Sequence, residues 1–105
     1  MTNTKPLGAI GDHIRRHLLD RIRKGPCSVS DLVATVSISQ PAVSQHLKVL
    51  REAQLVTSVK QGQRRIYQLD RRGVEQLRAY VDSLWDDALQ AFADEAERRA
   101  DQTSS

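Results

Sequence analysis

The stretch Ser39-Gln40-Pro41-Ala42-Val43-Ser44-Gln45-His46-Leu47-Lys48-Val49-Leu50-Arg51-Glu52-Ala53-Gln54-Leu55-Val56 decides the fold. Val43, Leu47 and Leu50 stand at i, i+4 and i+7, the spacing that stacks side chains on one face of a helix, and Leu55 closes the segment. Ser39 is a residue type that caps a helix start. Pro41 fits the first turn, where a missing amide leaves no carbonyl unserved. With the apolar stripe turned inward, Gln40, Ala42, Ser44, Gln45 and Lys48 fall on the opposite side.

Upstream, Ile14, Leu18, Leu19 and Ile22 recur at three- and four-residue steps from Asp12, a plausible cap, up to the stop at Gly25-Pro26. Residues 1–11 read as a loose lead-in. A short helix capped by Ser28 or Ser30 follows, with Leu32, Val33 and Val36 inward, and Ser37-Ile38-Ser39 links it tightly to the decisive helix. A short helix, a tight turn and a helix with a polar outer face make a helix-turn-helix, over about residues 28–54. Downstream the period changes. Val56–Lys60 and Arg64–Leu69 read as strands around a Gln61-Gly62-Gln63 hairpin tip, with Tyr67 and Leu69 on one face and Lys60, Arg64 and Arg65 crowding the tip. A basic-tipped hairpin over residues 56–69, directly after a helix-turn-helix, is a winged helix.

The last element runs over about residues 71–100. Val74, Leu77, Val81, Leu84, Ala88 and Ala91 keep a near-heptad spacing, and Trp85, Leu89 and Phe92 widen the stripe. From 74 to 100 such a helix spans roughly 40 Å at 1.5 Å per residue. That exceeds what one small domain covers with its own surface. The stripe therefore calls for a second copy, with Leu77, Val81, Leu84, Trp85, Ala88, Leu89 and Phe92 as the expected interface. Gln102–Ser105 read as a frayed tail.

Composition agrees. The 105 residues, 39% hydrophobic and 28% charged, suit one soluble domain over 1–105, mostly α with a small β-hairpin wing (α+β). Aromatics are 4%, so the core is aliphatic and small, a shortage that a dimer relieves. No apolar run reaches the ~18 residues of a membrane span. Met1–Gly11 lacks a signal peptide's apolar stretch. The single Cys27 forbids an internal disulfide and suits a reducing compartment, so the expected location is cytoplasmic. Residues 1–78 carry 14 Lys/Arg against 6 Asp/Glu, a balance of +8, whereas 79–105 carry 2 against 7, a balance of −5. A basic body with an acidic tail helix is the footprint of a protein that meets a polyanion with one face. An enzyme is excluded: there is no nucleophile–base–orienter set, no Gly-rich phosphate loop and no H-E-x-x-H. No cofactor or metal site is assigned.

The run Ser39–Val56, continued by Gly62-Gln63-Arg64-Arg65-Ile66-Tyr67-Gln68-Leu69, resembles the recognition helix and wing of the arsenical-resistance-repressor (ArsR) family of bacterial winged-helix regulators. The similarity covers about residues 10–92, and Asp12 with Arg15-Arg16 resembles the family's opening helix, although His13 stands where a Pro is common. The resemblance implies a cytoplasmic homodimer that binds an inverted-repeat operator in double-stranded DNA and represses its target genes. Two departures bear on what is sensed. Where arsenic, cadmium and lead sensors of the family carry Cys-Val-Cys, this chain has Ser28-Val29-Ser30, and soft metals need thiolates. Where zinc and nickel sensors place His and carboxylates on the last helix, Gly73–Ser105 has neither His nor Cys. His13 and His17 stand at i, i+4 but among Arg15, Arg16 and Arg21, a poor setting for a cation, and Cys27 reads as a packed small hydrophobe.

On this reading each copy inserts the start of the decisive helix into the major groove. Gln40 and Gln45 carry amides that can read adenine edges, Ser39 and Ser44 can bond phosphate or base, and Lys48 suits phosphate. His46 lies at the edge of the apolar face, which permits either a DNA contact or a half-buried structural role. Lys60 and Gln63 add wing contacts. Arg64 and Arg65, adjacent on a strand, start toward opposite faces, so one is expected to reach DNA and the other to serve the fold. The alternatives are a winged helix used as a protein-interaction module, and a DNA-binding activator or metal-responsive regulator with an atypical site. No inducer is assigned.

Overall fold

The computed structural model describes residues 5–103. In chain order the elements are α1 (Lys5–Ala9), α2 (His13–Ile22), β1 (Cys27–Ser28), α3 (Val29–Val33), α4 (Gln40–Glu52), β2 (Val56–Gln61), β3 (Arg64–Leu69) and α5 (Arg71–Thr103). The strands form an antiparallel sheet in the order β1-β3-β2.

Local chemistry sets each boundary. Asp12 caps α2, its carboxylate accepting from the amides of Ile14 and Arg15 at 2.8 and 3.1 Å. These bonds, the one to Arg15 foremost, hold its pKa below the ordinary carboxylate value. Ser28 caps α3 in a reciprocal capping box with Asp31, and Ser39 caps α4 by accepting from the Ala42 amide at 3.3 Å. Gly62, at φ +62°, supplies the left-handed residue of the β2–β3 turn. Leu18, Ile22, Leu32, Val43, Leu47, Leu50, Leu55 and Val56 are fully buried between α2, α3, α4 and the sheet, an aliphatic core.

Several expectations need correction. Part of the lead-in is helical: α1 is anchored from below by α2, where Arg15 Nε donates to Ala9 O at 2.7 Å and a terminal Arg16 nitrogen donates to Ile10 O at 2.9 Å. Residues 1–4 of that lead-in lie outside the described residues. The opening helix ends at Ile22, before Gly25-Pro26. The strand β1 was not legible, because two residues carry no alternation. Of the two residues placed on one face, Tyr67 is buried and Leu69 is 40% exposed, since β1 pairs only with Ile66 and Tyr67 and does not extend to the end of β3. The frayed tail is instead helical through Thr103, and residues 104–105 lie outside the described ones.

The start of α5 is welded to the end of α4. The Asp70 amide donates to Leu55 O at 2.9 Å and the Gly73 amide to Gln54 O at 2.7 Å. Gln54 is left-handed at φ +61°, and a Cβ on Gly73 would lie 2.3 Å from Gln54 O, so only glycine permits this approach. Beyond Leu77, which packs on the core, α5 runs away from the body, and the molecule measures 75 × 25 × 23 Å.

Candidate nucleic-acid interface

The two faces of α4 divide as the residue spacing requires. Val43, Leu47 and Leu50 are buried, and Gln40, Ser44, Gln45 and Lys48 are exposed on the same helix. Ser39 is exposed at the cap. His46 is half-buried, with Nδ1 3.5 Å from an Arg15 guanidinium nitrogen, which ties α4 loosely to α2.

Beside the start of α4 lies the wing tip, and Lys60, Gln63, Arg64 and Arg65 are all exposed there. A cleft of about 240 Å³ between them is lined by Gln40 of α4, Gln63, Arg64 and Arg65 of the wing, and Ser28, Val29 and Ser30. The structure thus brings Gln40 and three of the four wing candidates together. Ser44, Gln45, His46 and Lys48 follow along α4 and do not line that cleft.

The two arginines diverge, and the register explains how. Ser28 pairs with Ile66, so Arg64 is its diagonal neighbour, and an Arg64 guanidinium nitrogen donates to Ser28 Oγ at 2.9 Å. Ser58 pairs with Tyr67, so Arg65 is diagonal to it on the other face and donates to Ser58 Oγ at 3.0 Å. Residue types alone did not identify Ser28, Asp31 and Ser58 as partners. The S-x-x-D spacing of Ser28 and Asp31 was the available signal for the first two.

The same geometry tests the metal site that thiolate-bearing members of the resembled family would have. Ser28 is 3% exposed, and its Oγ accepts from the Asp31 amide at 3.2 Å as well as from Arg64. A position that holds a guanidinium 2.9 Å away does not suit a cation, and its hydroxyl is a poor soft-metal ligand. Cys27 beside it is buried, and burial pushes its thiol pKa up, the opposite of an activated thiolate. The His17 Nε2–H donates to Thr35 O at 3.1 Å, tying α2 to the turn after α3, beside an open cavity of about 530 Å³ that His13 also lines. Among the described residues no three His, Cys, Asp or Glu side chains gather closely enough to hold a metal ion.

On α5, Val81, Leu84, Leu89 and the two largest side chains of the stripe, Trp85 (61% exposed) and Phe92 (67%), lie open to solvent. Ala88 is half-buried, and Leu77 alone of the seven expected interface residues packs against the core. No helix among the described residues is long and apolar enough to cross a membrane.

Comparison with known proteins gives a consistent picture. The arsR family of bacterial regulatory proteins matches residues 12–58. The HTH-type transcriptional regulator Rv2034 of Mycobacterium tuberculosis is 42% identical over 90% of this chain and 89% of its own length. A crystal structure of a possible transcriptional regulator for arsenical resistance superposes with a TM-score of 0.73 at 41% identity, covering 87% of this chain and 95% of that one. The solution structure of a homodimeric winged helix-turn-helix DNA-binding domain from Mycobacterium bovis shares the fold at a TM-score of 0.64 and 23% identity, over 80% of this chain and 78% of that one.

Proposed function

Because this chain belongs to the ArsR family of bacterial regulatory proteins, we propose that it acts as a homodimeric repressor, gripping an inverted-repeat operator with α4 and the β2–β3 wing. It is a DNA-binding transcriptional regulator, not an enzyme. The observation that carries the operator reading is α4 itself: amide and hydroxyl side chains stand free on a helix whose opposite face is fully buried, next to a basic wing tip.

In this reading Gln40 and Gln45 read base edges in the major groove, Ser39 and Ser44 bond phosphate or base, Lys48 bonds phosphate, and His46 stands at the margin. Lys60, Gln63 and one of the two wing arginines serve the backbone beside it. The second copy covers Val81, Leu84, Trp85, Ala88, Leu89 and Phe92, a stripe too large to leave in water. Two α4 helices held about 34 Å apart then meet successive major grooves on one face of the duplex. A protein of this kind works in the cytoplasm, where the chromosome is.

Selection of bound fragments from genomic DNA by purified, metal-free protein tests the reading. Recovery of an inverted repeat with half-sites about one helical turn apart supports it. Recovery of only unspecific sequence, with no salt-dependent affinity, overturns it in favour of a protein-interaction module.

A further inference from the structure

Two arginines flank the wing tip, and the structure anchors them unequally. Among the described residues Arg65 bonds only the half-buried Ser58 hydroxyl, and no carboxylate lies within ion-pair distance of it. Arg64 instead reaches a nearly buried oxygen. Ser28 Oγ is fixed three ways: its residue pairs with Ile66 in the sheet, its hydroxyl accepts from the Asp31 amide, and its own amide donates to Asp31 Oδ2 at 3.0 Å. With Arg64 as a second donor, both acceptor sites of that hydroxyl are in use. The Asp31 carboxylate also stands 3.9 Å from the same guanidinium nitrogen.

Resting on the DNA reading above, we propose that Arg64 is a positioning residue: it latches the wing to the capped start of α3, while Arg65 is the wing arginine that meets phosphate. Both partners of the latch line the cleft that separates Gln63 of the wing from Gln40 at the start of α4, so with the β1–β3 ladder it holds the width across which backbone and base contacts must be made together. Asp31 has a place in this arrangement that simple charge complementarity denies it. A carboxylate beside a DNA-binding cleft repels the duplex, unless what it holds is worth more to binding than the repulsion costs. Arg64 near Asp31 is also partly neutralised, which makes it the poorer partner for a phosphate and Arg65 the better one.

The test uses the full-length protein and a labelled duplex carrying the site recovered from a random-sequence pool, with affinity measured by anisotropy across a salt series. Arg64→Ala weakens binding by about fivefold, one hydrogen bond's worth, and leaves the slope of log K against log salt unchanged. Arg65→Ala lowers that slope by about one phosphate's share. Asp31→Asn keeps an oxygen for the Ser28 amide, so the cap of α3 survives. It weakens binding although it removes a negative charge, and Arg64→Ala costs less in that background than in the wild type. Tighter binding by Asp31→Asn, or a slope lowered by Arg64→Ala, overturns the latch and makes Arg64 a phosphate contact. A pool from which the wild type recovers no duplex overturns the DNA reading itself, and the latch with it.

Discussion

Alanine at position 73 should destabilise a helix, against alanine's ordinary effect. In an exposed helix interior, glycine to alanine gains about 1 kcal/mol by propensity. Gly73 lies in the first turn of α5, where a Cβ would stand 2.3 Å from Gln54 O, 2.5 Å from Gln54 C and 2.8 Å from Leu55 N. All three obstacles are backbone, so no side-chain rotation relieves them. Retreat of α5 would break the Gly73–Gln54 bond at 2.7 Å and strain the Asp70–Leu55 bond at 2.9 Å. Overpacking of this kind costs about 1–3 kcal/mol, and loss of a backbone hydrogen bond adds about 1 kcal/mol. Set against the propensity gain, the net loss is about 2 kcal/mol, or roughly 10 °C in Tm for a chain this size. Urea unfolding followed by circular dichroism, at one fixed protein concentration because a dimer's stability depends on it, measures the change. The companion substitution Gln54→Gly relieves the left-handed φ of +61° and should gain up to about 1 kcal/mol. A Gly73→Ala protein as stable as the wild type would refute the steric account of this junction.

Trp85→Ala removes the largest side chain of the exposed stripe and should shift sedimentation from dimer to monomer at micromolar concentration; an unchanged dimer would put the interface elsewhere. Gln45→Ala should cost about 1–3 kcal/mol on the selected site and relax one base position, as binding to a panel of single-base variants would show. Acid should act through the caps. The carboxylates of Asp12 and Asp31 are held below their ordinary pKa, chiefly by backbone amides of Arg15 and Ser28. Their stabilisation is therefore full above about pH 4 and is lost as pH falls through the depressed folded values. Stability flat from pH 5 to 7 and falling below pH 4 is the expected profile, and removing either carboxylate (Asp12→Asn or Asp31→Asn) should blunt the acid limb. Cys27 should resist iodoacetamide at neutral pH in the native protein and react once unfolded, because burial keeps the thiol protonated and out of reach.

What the residues disclosed in advance follows from which signals are periodic. The α4 stripe of Val43, Leu47 and Leu50, the caps Asp12 and Ser39, and the β2–β3 hairpin with Gly62 at its turn were all legible, because helix period, cap chemistry and turn chemistry are local. The open apolar stripe of α5 was legible for the same reason, as an excess that one chain could not cover. The two-residue strand β1 was not, since its existence depends on β3 arriving beside it. Nor was α1, whose five residues pack against α5 and α4 and whose end is held by Arg15 and Arg16 from the next helix. At the candidate site, sequence placed Arg64 and Arg65 on opposite faces, but which hydroxyl each would meet depended on pairing register, a long-range property.

The junction at Gly73 and the latch at Arg64 divide the control of α4 between its two ends. The carbonyls of Gln54 and Leu55, just past its C-terminus, accept from Gly73 in the first turn of α5 and from Asp70 just before it, so the direction of α4 is tied to the helix that carries the exposed apolar stripe. Among the described residues no such weld exists at its N-terminus. Ser39 caps α4 from an exposed position, and Gln40 faces the wing across an open cleft bounded by Arg64. In a dimer joined through α5, the distance between the two α4 helices is then set by short backbone bonds, whereas the gap each presents to a duplex is bounded by the β1–β3 ladder and, at the wing tip, by one guanidinium on one buried hydroxyl. The first cannot change without breaking main-chain bonds between the turn after α4 and the start of α5. The wing tip beyond Ile66 is held to α3 by the Arg64 side chain, so a change of that rotamer frees the tip without breaking a main-chain bond.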